Sequence, residues 1–430
     1  MKKLLVILMS VFMVFSLTAC SSSNNGGEGG SEETKKTTIT IWGTWTDAQV
    51  EALEGYAKAF NESQDKYEVV YEGQVYQGYD GTVKQAVTSM VGPDIIIDYA
   101  STAATYREMD LVADLSKYLD SDTINQLQAG ALEEATSFVD GGMYNFPVVL
   151  SGPVLWYNPD ILAAAEVEVP TTWKEVWEVS KTINEKVTVV ANDDGSKSYV
   201  TDGSGNPIYG FASDSHTDFI QTIIMQTGTQ LYDFDSEVAT FDSDAVAEYL
   251  QDYQDGVTGG YLLSGATTDY LSTDFNAGIV AMYFGSVAGE PYLAETHAAA
   301  KVPGVEGGVA WTPAWNRGVL IFNYGDEDRV QGAVEFLKYF VSPEINENWC
   351  EKCNYQSCLK WTMSLDSYQA FLANAQSLQS LQPETAGALP AIPAQSAIRA
   401  ALKNLVNTVG AGTDVHQALA EAVQYVADNK

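Results

Sequence analysis

Basic residues are scarce in this chain. Lysine and arginine together number 22 against 57 aspartates and glutamates, for a formal net charge of −35. A polyanion needs a basic footprint to bind, so nucleic acid is excluded as a partner, and the acidity itself reads as a solvated surface. Histidine is scarcer still: His216, His297 and His416 stand far apart, none inside a local catalytic pattern. The chain has no G-x-S-x-G elbow, no H-E-x-x-H and no G-x-x-x-x-G-K-[ST] phosphate loop. A glycosidase-type carboxylate pair stays open, because 57 acids form many pairs. Cysteine is limited to Cys20 and the group Cys350, Cys353 and Cys358. The C-x2-C-x4-C spacing of that group lacks a fourth ligand and a nearby histidine. It leaves three readings: one local disulfide with a free thiol, three buried thiols, or a metal site. After residue 20 no apolar run approaches the ~20 residues that a spanning helix needs.

What is present begins with a processing signal. Lys2 and Lys3 precede an apolar stretch, 4–17, interrupted only by Ser10 and Ser16. It is too short to span a bilayer and reads as a signal peptide. Leu17-Thr18-Ala19-Cys20 resembles a bacterial lipobox. That resemblance implies that residues 1–19 are removed and that Cys20 becomes the acylated first residue, anchoring the chain to a membrane surface. Residues 21–36 hold no large apolar side chain and many Gly, Ser and Asn. With Cys20 they form the segment 20–36, expected to be a flexible tether. The remaining length and the 46% hydrophobic content suit two domains of ordinary size.

From Thr37 strands and helices alternate. "TTITIWGTW" has the period of a strand, and "TDAQVEALEGYAKAF" places Val50, Leu53, Ala57 and Phe60 at helical spacing behind Thr46 or Asp47 as cap. "YEVVYEGQV" is a second strand, "YDGTVKQAVTSM" a helix, and "PDIIIDY" a short buried strand. Such alternation predicts α/β sheets, mainly parallel and covered by helices. Asn158 caps a helix with Pro159 at its first position. Thr172 and Glu175 are spaced as a capping box for a helix whose Trp173, Val176, Trp177 and Ile183 share a core face. The stretch 191–210 reads as a surface hairpin, and Ser342-Pro343 starts another helix. Two amphipathic helices end the chain.

The order of these landmarks resembles the extracellular solute-binding proteins of ABC importers, in the sugar-binding group that includes the maltose-binding protein. "ITIWGTWT", "GPDIIIDYASTAATYREMDLVADL", "MYNFPVVLSGPVLWYNPDIL", "VPTTWKEVWEVSKTI", "AGIVAMYFGSVAG", "AVEFLKYFVSPE" and "LPAIPAQSAIRAALKNLV" carry the likeness across nearly all of 37–429. It implies a two-lobe, periplasmic-binding-protein-like fold, a Venus flytrap with a hinge. Lobe 1 would be 37–150 plus 285–343, and lobe 2 would be 151–284 plus 344–430. It further implies a monomeric receptor, without cofactor or catalysis, on the outer face of the cytoplasmic membrane. That receptor would hold a carbohydrate, an oligosaccharide, and deliver it to the permease transmembrane subunits. A surface-anchored carbohydrate-active hydrolase, or the same scaffold binding a peptide or polyamine, are the alternatives.

The family's aromatic positions carry over poorly. Asp98 stands where the maltose-binding protein has a tryptophan after its "PDII-" strand, Ser151 replaces its crossover glutamate, and Val287 replaces the tryptophan of Gly-Pro-Trp. Ligands in such sheets sit outside the carboxyl ends of strands. That rule brings Trp45 and Tyr99 to the crevice; with Trp315, in a loop that faces the cleft in the family, and Trp361 they are the candidate rings for a pyranose face. The expected polar partners are Asp47, Asp98, Ser151, His216, Asp218, Ser286, Glu290 and Arg317.

Overall fold

The computed structural model describes residues 36–430 apart from 46, 76, 139, 234, 266–270, 295, 384 and 388–393. The expected leader and Cys20 lie outside the described residues, as do 21–35 of the tether and the capping candidate Thr46.

Two sheets organise the rest. The first has six strands in the spatial order 356–357, 146–151, 315–321, 95–98, 37–43 and 67–73. Alternation decides which face each residue covers. Ile39, Ile41 and Ile95 point into a core that includes Leu53, Phe60 and Phe336. Ile96, next in sequence to Ile95, points the other way into a core with Val83, Ala103 and Phe322. The second sheet runs 298–300, 153–157, 280–286 and 209–213. Leu155, Phe211 and Phe284 face the larger core and Trp156, Ala212 and Tyr283 the smaller. Both sheets are thus covered on both faces, the two-lobe α/β arrangement expected from sequence.

The sheets are mixed rather than mainly parallel. Strand 37–43 pairs in parallel with 67–73 and 95–98, whereas 315–321 is antiparallel to both 95–98 and 146–151. In the second sheet, 280–286 is parallel to 209–213 but antiparallel to 153–157. The cause is topological. A strand that arrives from the other lobe comes in at the end where its neighbours leave, so it runs against them.

The lobe boundaries also differ from the expectation. Strand 146–151 passes through Gly152 into 153–157, so the first crossing lies near 151–153. Strand 280–286 reaches the space between the sheets, but the chain then returns to pair Ala298–Ala300 with 155–157 in the second sheet. It changes sheet only around 312–315, not at 285. Helix Pro343–Cys353 stays with the first lobe, because Trp349, Cys350 and Cys353 fill that core, as do Tyr355 and Tyr368. The last crossing is therefore near 371–376, beyond the expected 343–346; Phe371 and Leu372 touch the cores of both lobes, and Leu378 belongs to the second.

Local signals hold where they have a mechanism. The Asn158 side chain accepts from the Asp160 and Ile161 amides, and the Thr172–Glu175 capping box is fully formed. Asp47, by contrast, makes no side-chain cap bond and has φ 48°. Trp173 and Trp177 are core residues, stacked with ring centroids 6.0 Å apart and met edge-on by Phe211 and Phe219. The 188–207 region forms a small three-stranded sheet. All three cysteines of the 350–358 group are free, buried thiols.

Helix Trp173–Lys186 lies directly on strand Tyr209–Ser213, and a Cβ at Gly210 would overlap the Ser180 backbone. Gly210→Ala should cost about 1–3 kcal/mol through overpacking, read as a lowered urea midpoint with an unchanged slope.

Candidate functional site

Strands 37–43, 95–98 and 146–151 of the first sheet and 280–286 of the second all end toward one space between the lobes, and 315–321 starts from it. The result is a cleft of about 1270 Å³. Ser151 and Ser286, at two of these strand ends, lie with their Oγ atoms 3.0 Å apart at its base.

The first-lobe wall is built around Arg317. Its guanidinium carbon sits 5.3 Å from the Trp45 ring centroid and 5.2 Å from that of Tyr99, and its Nε donates to the Tyr99 hydroxyl at 3.3 Å. Trp45 in turn meets Trp349 edge to face at 5.1 Å, so the ring is braced from the core. Arg107, Arg329 and Arg399 each hold a carboxylate at 2.8, 2.8 and 3.0 Å; Arg317 forms no ion pair among the described residues. Burial opposes its charge, but Tyr99, Tyr355 and Asp98 hold its pKa above the ordinary value.

Asp98 and Tyr99 close the short strand Ile95–Asp98. The Asp98 carboxylate accepts from the Tyr99 amide at 2.8 Å, and its backbone carbonyl accepts from Asn145 Nδ2 at 2.9 Å. Burial raises the Asp98 pKa, against the lowering effects of the Tyr99 amide and the Arg317 charge. Trp315, at the start of its strand, lines the same cleft.

On the second lobe, Asp218 accepts from Arg399 Nη1 at 3.0 Å and from Ser215 Oγ at 2.6 Å. One turn along helix His216–Gln226, Gln221 lines the cleft while only 1% exposed.

Of the expected residues, the fold brings together Trp45, Asp98, Tyr99, Ser151, Asp218, Ser286, Trp315 and Arg317. Four lie elsewhere. Asp47 is exposed at the start of helix Ala48–Ser63 and does not line the cleft. His216 turns toward the helix Gln395–Gly410, where its Nδ1 lies 2.9 Å from Asn407 Oδ1, and burial lowers its pKa. Glu290 ties loops together, accepting from Asn354 Nδ2 at 2.8 Å and from Ser377 Oγ, with His297 Nε2 at 3.7 Å. Trp361 packs against the first-lobe core.

The cleft also contains residues that strand-end reasoning does not reach: Tyr79, Glu134, Gln221, Tyr355 and Arg399. One of them had a usable signal. Gln221 stands in the run Phe219, Ile220, Ile223 and Ile224, all buried, where a polar side chain needs a reason. Among the described residues no group of three His, Cys, Asp or Glu side chains is placed to hold a metal ion. No described helix is long and apolar enough to cross a membrane.

Glu134 accepts from Asn316 Nδ2 in the cleft wall, and burial pushes its carboxyl from 4.5 up to about 7. Between those values the folded chain keeps a proton that the unfolded chain has released. Stability should therefore fall as pH rises through this window, by roughly 2 kcal/mol once solvent screening is allowed for. Glu134→Gln should flatten that slope in urea titrations at pH 4.5 and pH 7.5.

Against known proteins, the model of the bacterial extracellular solute-binding protein family matches residues 55–376. A curated relative, the sn-glycerol-3-phosphate-binding periplasmic protein of Rhizobium meliloti (strain 1021), is 30% identical over 158 residues. That match covers 34% of this chain and 36% of the relative, so the chain spans about a third of the length of the curated relatives it matches. Two solved structures share the fold over nearly their whole length. The cyclic alpha-maltosyl-1,6-maltose binding protein from Arthrobacter globiformis is 20% identical with a TM-score of 0.74, over 92% of this chain and 99% of that one. The GacH receptor of Streptomyces glaucescens, solved unliganded and with acarbose, is 19% identical with a TM-score of 0.76, over 92% and 100%. With three quarters of its length matched by one family model and its lobes built as those structures are, the chain belongs to the bacterial extracellular solute-binding protein family.

Proposed function

We propose that this protein is the solute-binding component of an ABC importer, held outside the cell by a lipid on Cys20, and that its ligand is an oligosaccharide. One observation carries the reading: the cleft between the lobes is lined by the rings of Trp45, Tyr99 and Trp315 beside carboxylates, serines and arginines. Flat rings match the apolar faces of pyranoses, and the polar groups match their hydroxyls. A volume of about 1270 Å³ exceeds that of ordinary small-molecule pockets, about 300–1,000 Å³, and suits several linked rings. The saccharide ligands named for the two structural relatives agree with this reading.

Closure follows from the same geometry. A ligand touching both walls binds the closed arrangement better than the open one and so shifts the population toward it. The three crossings near 151–153, 312–315 and 371–376 are the hinge, and the closed form is what the permease subunits recognise. The protein acts as a monomer and releases its ligand unchanged.

A second reading has its own observation. Arg317 has no carboxylate partner among the described residues, and the curated relative is named for sn-glycerol-3-phosphate. A phosphorylated polyol would supply the missing charge.

Isothermal titration against neutral glycans and against sn-glycerol-3-phosphate separates the two. Heat should come from a glycan, and Trp45→Ala should weaken it about tenfold. The glycan should elute uncleaved after hours with the protein; cleavage would identify a hydrolase instead. Cys20→Ala should shed the protein into the medium with its affinity intact and uptake lost.

A further inference from the structure

The two walls of the cleft differ in chemistry. Every aromatic side chain that lines it among the described residues belongs to the first lobe, with Trp45, Tyr79, Tyr99, Trp315 and Tyr355 around the centre. Among the described residues the second lobe contributes chiefly polar or small ones, Asp218, Gln221, Ser396 and Arg399. Within that polar wall, hydrogen-bonding capacity is left unused. Gln221 is 1% exposed, yet its Oε1 has no partner among the described residues. Arg399 is fixed by one nitrogen on Asp218, its side chain is 43% exposed, and its remaining nitrogens make no hydrogen bond among the described residues. A buried amide acceptor without a partner is costly, and a guanidinium fork held in place is preorganised for hydroxyl acceptors.

We infer that recognition is divided between the lobes: the first lobe supplies affinity by stacking, and Gln221 with Arg399 on the second reads the hydroxyl pattern of the sugar. This inference rests on the oligosaccharide reading above. Epimeric sugars present similar apolar faces to a ring, so a stacking wall holds them with similar strength. They differ in where a hydroxyl points, and a site built to hydrogen-bond a hydroxyl penalises its misplacement steeply. The ligand therefore docks on the aromatic wall first, and closure of the second lobe completes the hydrogen bonds only for the right epimer. Gln221 and Arg399 are the specificity-determining residues on this assignment.

The test is titration calorimetry of the full chain against α- and β-linked trisaccharides of glucose, galactose and mannose. The unmutated chain should prefer one trisaccharide over its epimers. Gln221→Leu, close in volume, should cut that preference about tenfold or more while the poorer epimers bind as before. Arg399→Lys keeps a charge for Asp218 and loses the planar fork, and should erode the preference in the same direction. Trp45→Ala should weaken all the trisaccharides by a similar factor and leave their ratio unchanged. A preference that survives both second-lobe substitutions overturns the division of labour, as does equal binding of the epimers by the unmutated chain. No heat from any trisaccharide overturns the sugar reading itself, and this inference with it.

Discussion

Between the strand that leaves the first sheet at Ser151 and the one that joins the second at Pro153 stands a single residue, Gly152. The other connections crowd around it. A Cβ at Gly152 would lie 3.0 Å from Leu381 Cδ2 and 3.5 Å from the Pro313 carbonyl, so the residues beside all three crossings meet at one point. A side chain there would crowd the tip of Leu381, which would have to give by a few tenths of an ångström. That junction sets strand direction on both sides. It makes 146–151 end at the cleft and 315–321 begin there, and it explains why the sheets are mixed. The site is a consequence: five strand termini converge on one gap, and each delivers a side chain to it.

Rigidity then separates into levels. Each lobe is packed through on both faces of its sheet, with Trp173, Phe211 and Phe219 locking one interior and Trp349, Tyr56 and Phe340 the other. Among the described residues, contact between the lobes at the crossings rests on a few polar bonds, the Ser151–Ser286 pair and the bonds of Asn354 Nδ2 to the Val287 carbonyl and the Glu290 carboxylate, with Phe371 and Leu372 packed beside them. Motion is cheapest where packing is thinnest. Arg317 extends core rigidity into the cleft, because its guanidinium bridges the Trp45 and Tyr99 rings and Trp45 rests on Trp349. The first-lobe wall of the cleft is thus held in place by the same aromatic packing that stabilises the lobe.

Much of the architecture was legible in the sequence because its signals are local. Alternation in 37–43, the Asn158 cap and the Thr172–Glu175 box depend on neighbours within a few residues, and the fold honours them. Lobe membership was not legible. The helix Pro343–Cys353 announces a buried face through Trp349 and Cys350, but a hydrophobic stripe does not say which sheet it will cover. The site divided along the same line. Trp45, Asp98 and Tyr99 follow from the rule that the carboxyl ends of strands face the crevice, whereas Trp315 and Arg317, at the start of their strand, rest on the family likeness of their loop. His216 and Glu290 do not line the cleft, because a residue beside a strand end can point along the cleft or away from it, and here Asn407 and Asn354 hold them away. Arg399 gave no sign, since its place beside Asp218 depends on a contact 181 residues apart.

The three thiols under the first-lobe wall have a consequence of their own. A protein working outside the cell meets oxidants, and cysteines there are ordinarily tied into bridges. Here Cys350, Cys353 and Cys358 are almost without solvent contact, and burial pushes the Cys350 thiol up to about 12 and the other two well above their usual value. Because the thiolate is the reactive form, a low-dielectric interior silences their chemistry without any covalent link. The durability of these thiols in an oxidising milieu is thus set by how seldom that interior opens.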